Sequence, residues 1–196
     1  MGRIHMRPLV DLATSLARSF SIDTFVETGT YQGAATQWAA GVFRTVWTVE
    51  KSPQYHMDAR ARLAELSNVT ALLGDSPLVL PEICRALDRP AMFWLDAHAG
   101  GGHFGPVDAC PLLDELDVVA THGLQHFVLI DDARAFVAPP PPPFDASRWP
   151  SLDEVLGHLL ARHPYHVVLI SDCLVAVPKA ARDVVRDYVF TVRPKI

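Results

Sequence analysis

The sequence predicts an α/β fold in which a largely parallel sheet carries helices on both faces. Short apolar runs alternate with segments of helical periodicity along the chain, and that alternation builds parallel sheets by right-handed crossovers. Two of the runs, Phe93-Trp94-Leu95-Asp96-Ala97-His98 and Val128-Leu129-Ile130-Asp131-Asp132, end in carboxylates where a buried strand would leave the core. A glycine-punctuated turn, Glu27-Thr28-Gly29-Thr30-Tyr31-Gln32-Gly33, follows the first apolar run.

Taken in order, Leu9, Leu12, Ala13, Leu16 and Ala17 recur at helical spacing and predict a helix over Pro8–Arg18. A strand at Ile22–Glu27, the glycine turn and a helix near Gly33–Ala40 follow. Next come a strand at Thr45–Glu50, a helix near Pro53–Leu66 and a strand at Val69–Leu73. Gly74-Asp75-Ser76 reads as a turn, and Pro81–Leu87 as a short helix with proline at its first position. Strand Ala91–Asp96, a glycine-rich loop, a helix near Cys110–Ala120 and strand His126–Asp131 complete the central pattern. Beyond the Pro139–Pro143 run, Ser151-Leu152-Asp153-Glu154 is a capping box opening a helix to about Arg162. Strands at Tyr165–Ser171 and Leu174–Val177 follow, with Tyr188–Val192 as a last extended piece.

A chain of 196 residues is expected to form a single domain, 1–196, with an N-terminal helix within 1–20 and a proline-rich loop, 134–150, over the active face. The five prolines suit a stiff polyproline II segment. The net charge of −5 comes with no basic block, which disfavours nucleic acid. No apolar run reaches the 18 residues of a membrane span, and the N-terminus shows neither a secretory apolar region nor the Ser or Thr of a myristoylation motif. Cys84, Cys110 and Cys173 are odd in number and sit in apolar contexts, as buried free thiols of a reducing cytoplasm do.

Ligands of open α/β sheets bind outside the carboxyl ends of the strands, so the acidic strand ends are the candidate site. Hard divalent cations take oxygen ligands and leave positions open for substrate oxygens. The turn reads Glu-x-Gly-x-x-x-Gly and lacks the phosphate-cradling spacing of a dinucleotide site. Glu27 before the glycines suits a cationic ligand end such as an amino group. Glu50, at the end of the second strand, can accept two hydrogen bonds from ribose hydroxyls, and Asp75, at the end of the third, can meet an adenine amino group.

These residues resemble class I S-adenosylmethionine-dependent methyltransferases over about Ile22 to Pro178. Within that class the acidic strand ends resemble the metal-dependent macrocin O-methyltransferase group, which acts on sugars of natural products. The resemblance implies a Rossmann-like fold with a seven-stranded, mostly parallel sheet whose last strand runs antiparallel. It implies that Glu27 and Gly29 line the methionine part of the cofactor, that Glu50 holds the ribose, and that Asp75 with Ser76 flanks the adenine. Thr28, Thr30, Tyr31, Gly33, Lys51, Gly74 and Asp96 complete the implied cofactor-binding set. Asp96, Asp131 and Asp132 match the group's magnesium ligands. Where the group has a second Asp, two positions beyond the fourth-strand Asp, this chain has His98, whose ordinary pKa near 6.5 suits a general base.

The resulting expectation is a magnesium-assisted O-methyltransferase for a small-molecule hydroxyl, with His98 taking the proton. Other readings stay open at this level. Asp131-Asp132 also suits a helix cap or a loop ion pair with Arg134, and His98 a backbone-bonded loop histidine. His103 in Gly100-Gly101-Gly102-His103 is a second catalytic candidate. Tyr31, Phe136 and Trp149 are candidate substrate contacts, and Arg134 a candidate for an anionic substrate group. Asp96-Ala97-His98 resembles the metal motif of arginase-like hydrolases, and a cofactor-binding protein without transferase activity is a further alternative. An exposed Pro8–Arg18 helix would suit a homodimer.

Overall fold

The buried strands and their crossovers set the architecture. The computed structural model describes residues 4–98, 110–138, 140–142 and 144–191. Seven strands form one sheet: β1 (Thr24–Thr28), β2 (Thr45–Glu50), β3 (Val69–Leu73), β4 (Met92–Leu95), β5 (Phe127–Ile130), β6 (Tyr165–Ile170) and β7 (Cys173–Pro178). Their order is β3-β2-β1-β4-β5-β7-β6, with β7 antiparallel to both of its neighbours and the rest parallel. Every residue of β1, β4 and β5 is buried, as strands covered on both faces must be.

Alternate residues divide between two cores, because strand side chains point to opposite faces. Val26, Phe93, Leu95, Val128 and Ile130 pack under α4 (Ser76–Arg85), α5 (Leu112–Thr121), the short α6 (Arg134–Val137) and α7 (Leu152–Leu160). Phe25, Met92, Trp94, Phe127 and Leu129 pack under α1 (Leu9–Ser19), α2 (Ala34–Ala40) and α8 (Arg182–Thr191). The capping box of α7 forms as its sequence predicts, Ser151 Oγ and backbone N–H both donating to Glu154 Oε2.

The structure corrects four sequence expectations. The segment read as extended at Tyr188 belongs to α8: Val185 is buried and Val184 and Tyr188 face the same core, a helical spacing that outweighs local β propensity. Helix α4 begins at Ser76 rather than Pro81, because Pro77 occupies its first turn, where a missing N–H costs nothing. Helix α3 (Pro53–Arg62) stops short of Leu66. The apolar stripe of α1 is not exposed: Leu9, Leu12, Ala13, Leu16 and Ala17 are buried within the chain itself. The Ala99–Ala109 loop with His103, and Val192, lie outside the described residues.

The order of the strands reverses between β1 and β4, since β1 leads outward to β2 and β4 to β5. Such a switch point opens a crevice at the carboxyl ends of the strands.

Candidate active site

Gly29 sits at the switch point in a left-handed conformation, φ +83°, and a Cβ there would lie 2.3 Å from the Asp96 carbonyl oxygen. Only glycine lets the two strand ends run this close. Ladder bonds hold the ends together past the strands: Asp96 N–H donates to Thr28 O (3.1 Å), Asp131 N–H to Leu95 O (3.2 Å), and Gly74 N–H to Glu50 O (2.9 Å).

These ends line one cleft of about 810 Å³, large enough for a nucleoside-sized ligand with a small second molecule. It brings together Glu27, Gly29, Thr30, Tyr31, Glu50 and Lys51 from the first two strand ends. Gly74, Asp75 and Ser76 join them from the third. Asp96, His98, Asp131 and Asp132 form its other wall. Thr28 is fully buried behind that lining, and Gly33, φ +77°, caps α2.

Each carboxylate has its own setting. Glu27 is opposite Thr48 in the β1–β2 register, and its Oε2 accepts bonds from the Thr36 and Thr48 hydroxyls. Burial pushes Glu27 up to about 7, against those two bonds, which favour the charged form. Glu50 accepts from the Tyr31 N–H at Oε2 (2.8 Å) and the Ser52 N–H at Oε1 (2.9 Å), which fixes its plane at the mouth of β2. Asp75 holds the N-cap position of α4 without a capping bond from its side chain, and its Oδ2 lies 3.3 Å from Lys51 Nζ.

At the other wall, His98 Nε2 lies 3.1 Å from Asp132 Oδ2 and 3.8 Å from Asp96 Oδ1. Arg134 Nη2 meets Asp132 Oδ1 at 2.7 Å, while its Nη1 pairs with Asp172. Burial pushes His98 down, but the bond to Asp132 and the charges of Asp96, Asp132 and Asp131 outweigh it, so the imidazole is raised. Burial pushes Asp132 up, but its bonds to His98 and Arg134 and their positive charges outweigh burial and hold it low. Burial pushes Asp131 up to about 6, aided by the charge of Asp132, and raises Asp96 well above the carboxylate range.

Magnesium fits this wall in donor chemistry but only partly in arrangement. Asp131 Oδ1 is buried with no hydrogen-bond partner, as an oxygen awaiting a cation would be. Yet both oxygens of Asp132 are already engaged, and among the described residues no three His, Cys, Asp or Glu side chains converge on one point.

Phe136 and Trp149 do not line the cleft. They pack edge-on against the His98 ring, at centroid distances of 6.1 and 5.4 Å, and leave its side chain 3% exposed. Arg134 pairs with Asp132, as the ion-pair reading had it, and also with Asp172, which the sequence reading did not name; it lines the cleft together with Tyr31. Sequence reasoning missed Ile4 and His5, which reach the cleft from the N-terminal segment, and Cys110, Asp114 and Arg148. It also missed Thr48, whose polar side chain within an apolar strand was the available signal.

No family model matches the sequence, and no curated protein does. Solved structures are similar in fold. The O-methyltransferase TomG from Streptomyces achromogenes, solved with S-adenosylmethionine, is 20% identical over 88% of this chain and 81% of that one, with a TM-score of 0.57. The methyltransferase PaMTH1 from Podospora anserina, solved with S-adenosylhomocysteine, is 16% identical over 89% of this chain and 80% of that one, with a TM-score of 0.61. The chain therefore has the α/β fold of class I S-adenosylmethionine-dependent methyltransferases, with the cleft at its switch point.

Proposed function

We propose that this protein is an S-adenosylmethionine-dependent methyltransferase acting on a hydroxyl of a small molecule. One observation carries the reading: Glu27, Glu50 and Asp75, at three successive strand ends, face a single cleft at the switch point. The similar structures, solved with S-adenosylmethionine or its demethylated product, support it.

In this reading Glu27 receives the ammonium of the methionine end. A buried carboxyl raised to about 7 loses its proton readily when a cation arrives. Glu50, with its plane fixed by two backbone amides, receives the ribose hydroxyls. Asp75 and Ser76 flank the adenine end. The sulfonium is a good leaving group, so the chain's task is to align the acceptor oxygen with the methyl carbon and take one proton. His98 is the proposed base, oriented by Asp132, with the acceptor entering between Asp96 and Asp131.

The finer elements of the proposal are magnesium and the acceptor. An ion would be held by Asp96 and Asp131, where it would lower the pKa of a bound hydroxyl. Asp132 would complete the set only at the expense of its bonds to His98 and Arg134. A natural-product sugar is the acceptor class that the resemblance implies.

Calorimetric titration with S-adenosylmethionine and with NAD, each with and without Mg²⁺, tests the proposal. The expected result is binding of S-adenosylmethionine alone. Binding of NAD, or of neither, would overturn it.

A further inference from the structure

The carboxylates of the acidic wall are not equivalent. Asp131 is 5% exposed, and its Oδ1 has no hydrogen-bond partner among the described residues. Asp132, the next residue, has both oxygens engaged, Oδ2 at 3.1 Å from His98 Nε2 and Oδ1 at 2.7 Å from Arg134 Nη2. An incoming ion reaches either oxygen of Asp132 only after one of these partners has left.

The β6–β7 turn fixes Arg134 in that place. Asp172 accepts the Ala133 N–H at its carbonyl (2.8 Å) and the Arg134 N–H at Oδ1 (2.8 Å), and its Oδ2 pairs with Arg134 Nη1. Asp132 and Asp172 both hold left-handed backbones, φ 50° and 68°. Such conformations persist in residues other than glycine where the surrounding bonds over-determine them. The planar guanidinium thus spans two carboxylates, a geometry that a lysine ammonium could not reproduce. A divalent ion beside it would meet a fixed like charge.

We propose that Arg134 is a positioning residue that divides the acidic wall. As a cation built into the fold, it reserves Asp132 for His98 and leaves a divalent ion only Asp96 and Asp131. This role rests on the reading of the wall as the acceptor end of the cleft. It assigns Arg134 no contact with cofactor or acceptor.

Manganese(II) is the probe, because it takes the same oxygen ligands as magnesium and its free-ion resonance reports binding without an activity assay. It is titrated into the wild type, Arg134→Met and Arg134→Met combined with Asp132→Asn, and each protein is melted without ligand. Arg134→Met is expected to bind the ion about tenfold or more tightly than the wild type, because Asp132 is released to it. The combined variant loses that gain, which separates release of Asp132 from mere removal of a positive charge near the cleft. The Arg134 side chain is 56% exposed, so its loss leaves the core packing in place. Should Arg134→Met not fold, Arg134→Gln, which keeps a donor but no charge, gives the same gain. Equal affinity in wild type and arginine variant, a gain that survives Asp132→Asn, or no binding in any of the proteins would overturn the inference. A wild type that binds no S-adenosylmethionine would overturn the cofactor reading and leave the manganese comparison standing.

Discussion

Asp132 lies 3.1 Å from His98 Nε2 through one carboxylate oxygen and 2.7 Å from Arg134 Nη2 through the other. The link continues to Asp172, which accepts from the Arg134 backbone N–H (2.8 Å) and pairs with its guanidinium. Asp172 follows Ser171 at the β6–β7 turn, both at positive φ. The tip of an antiparallel hairpin thus fixes the side chain that orients the proposed base. Arg134→Ala is expected to lower methyl transfer several-fold while leaving affinity for S-adenosylmethionine unchanged. A weaker cofactor affinity with normal turnover would place Arg134 in the other half of the cleft.

Gly29→Ala is expected to disrupt the site outright. A left-handed conformation costs an L-residue about 1–2 kcal/mol, and here the added carbon would also strike the Asp96 carbonyl at 2.3 Å. A lowered melting temperature with loss of cofactor binding is the expected outcome. An alanine variant with unchanged melting would contradict the close approach of β1 and β4.

Glu27→Gln separates stability from binding. The folded-state pKa of Glu27 is raised to about 7, so its contribution is fully present below the ordinary carboxylate range and lost as pH rises through 7. Removing the charge should raise the melting temperature of the ligand-free protein at pH 8 and leave it little changed at pH 5. The same change should weaken S-adenosylmethionine binding about tenfold or more, as loss of a charged hydrogen bond does. Equal melting shifts at both pH values would contradict the burial argument.

His126 gives the opposite slope. It is fully buried, its Nδ1 accepts from the Ala91 N–H, and its Nε2 lies 2.7 Å from His122 Nδ1. The neutral ring must then carry its proton on Nε2 and donate to His122. Burial, with His122 and His163 nearby, pushes His126 down to about 3, so its contribution is present above about 6.5 and lost as pH falls toward 3. Melting between pH 7 and 4 should show this loss, with a shallower slope in His126→Asn. An unchanged slope would remove His126 from the acid response.

The strand ends were legible in the sequence because burial and chemistry coincide there: an apolar run must stop where a carboxylate begins. The helix positions of α1 and α7 followed from periodicity and the capping box. Helix α8 was not legible, because Tyr188 and its β-branched neighbours carry β propensity and only packing against the core decides between helix and strand. The pairing of Arg134 with the acidic strand end was open to local spacing, but its second partner, Asp172, sits on a hairpin turn about 40 residues away, beyond that reach.

The cleft between β1 and β4 is proposed to receive S-adenosylmethionine, and titration of the wild type beside Glu50→Ala decides the matter. Among the described residues Glu50 accepts from two backbone amides at the cleft mouth, so its loss should leave the fold's melting largely intact. One site is expected on the wild type, with affinity at least about tenfold weaker in the variant. Equal affinity in the two proteins would contradict it.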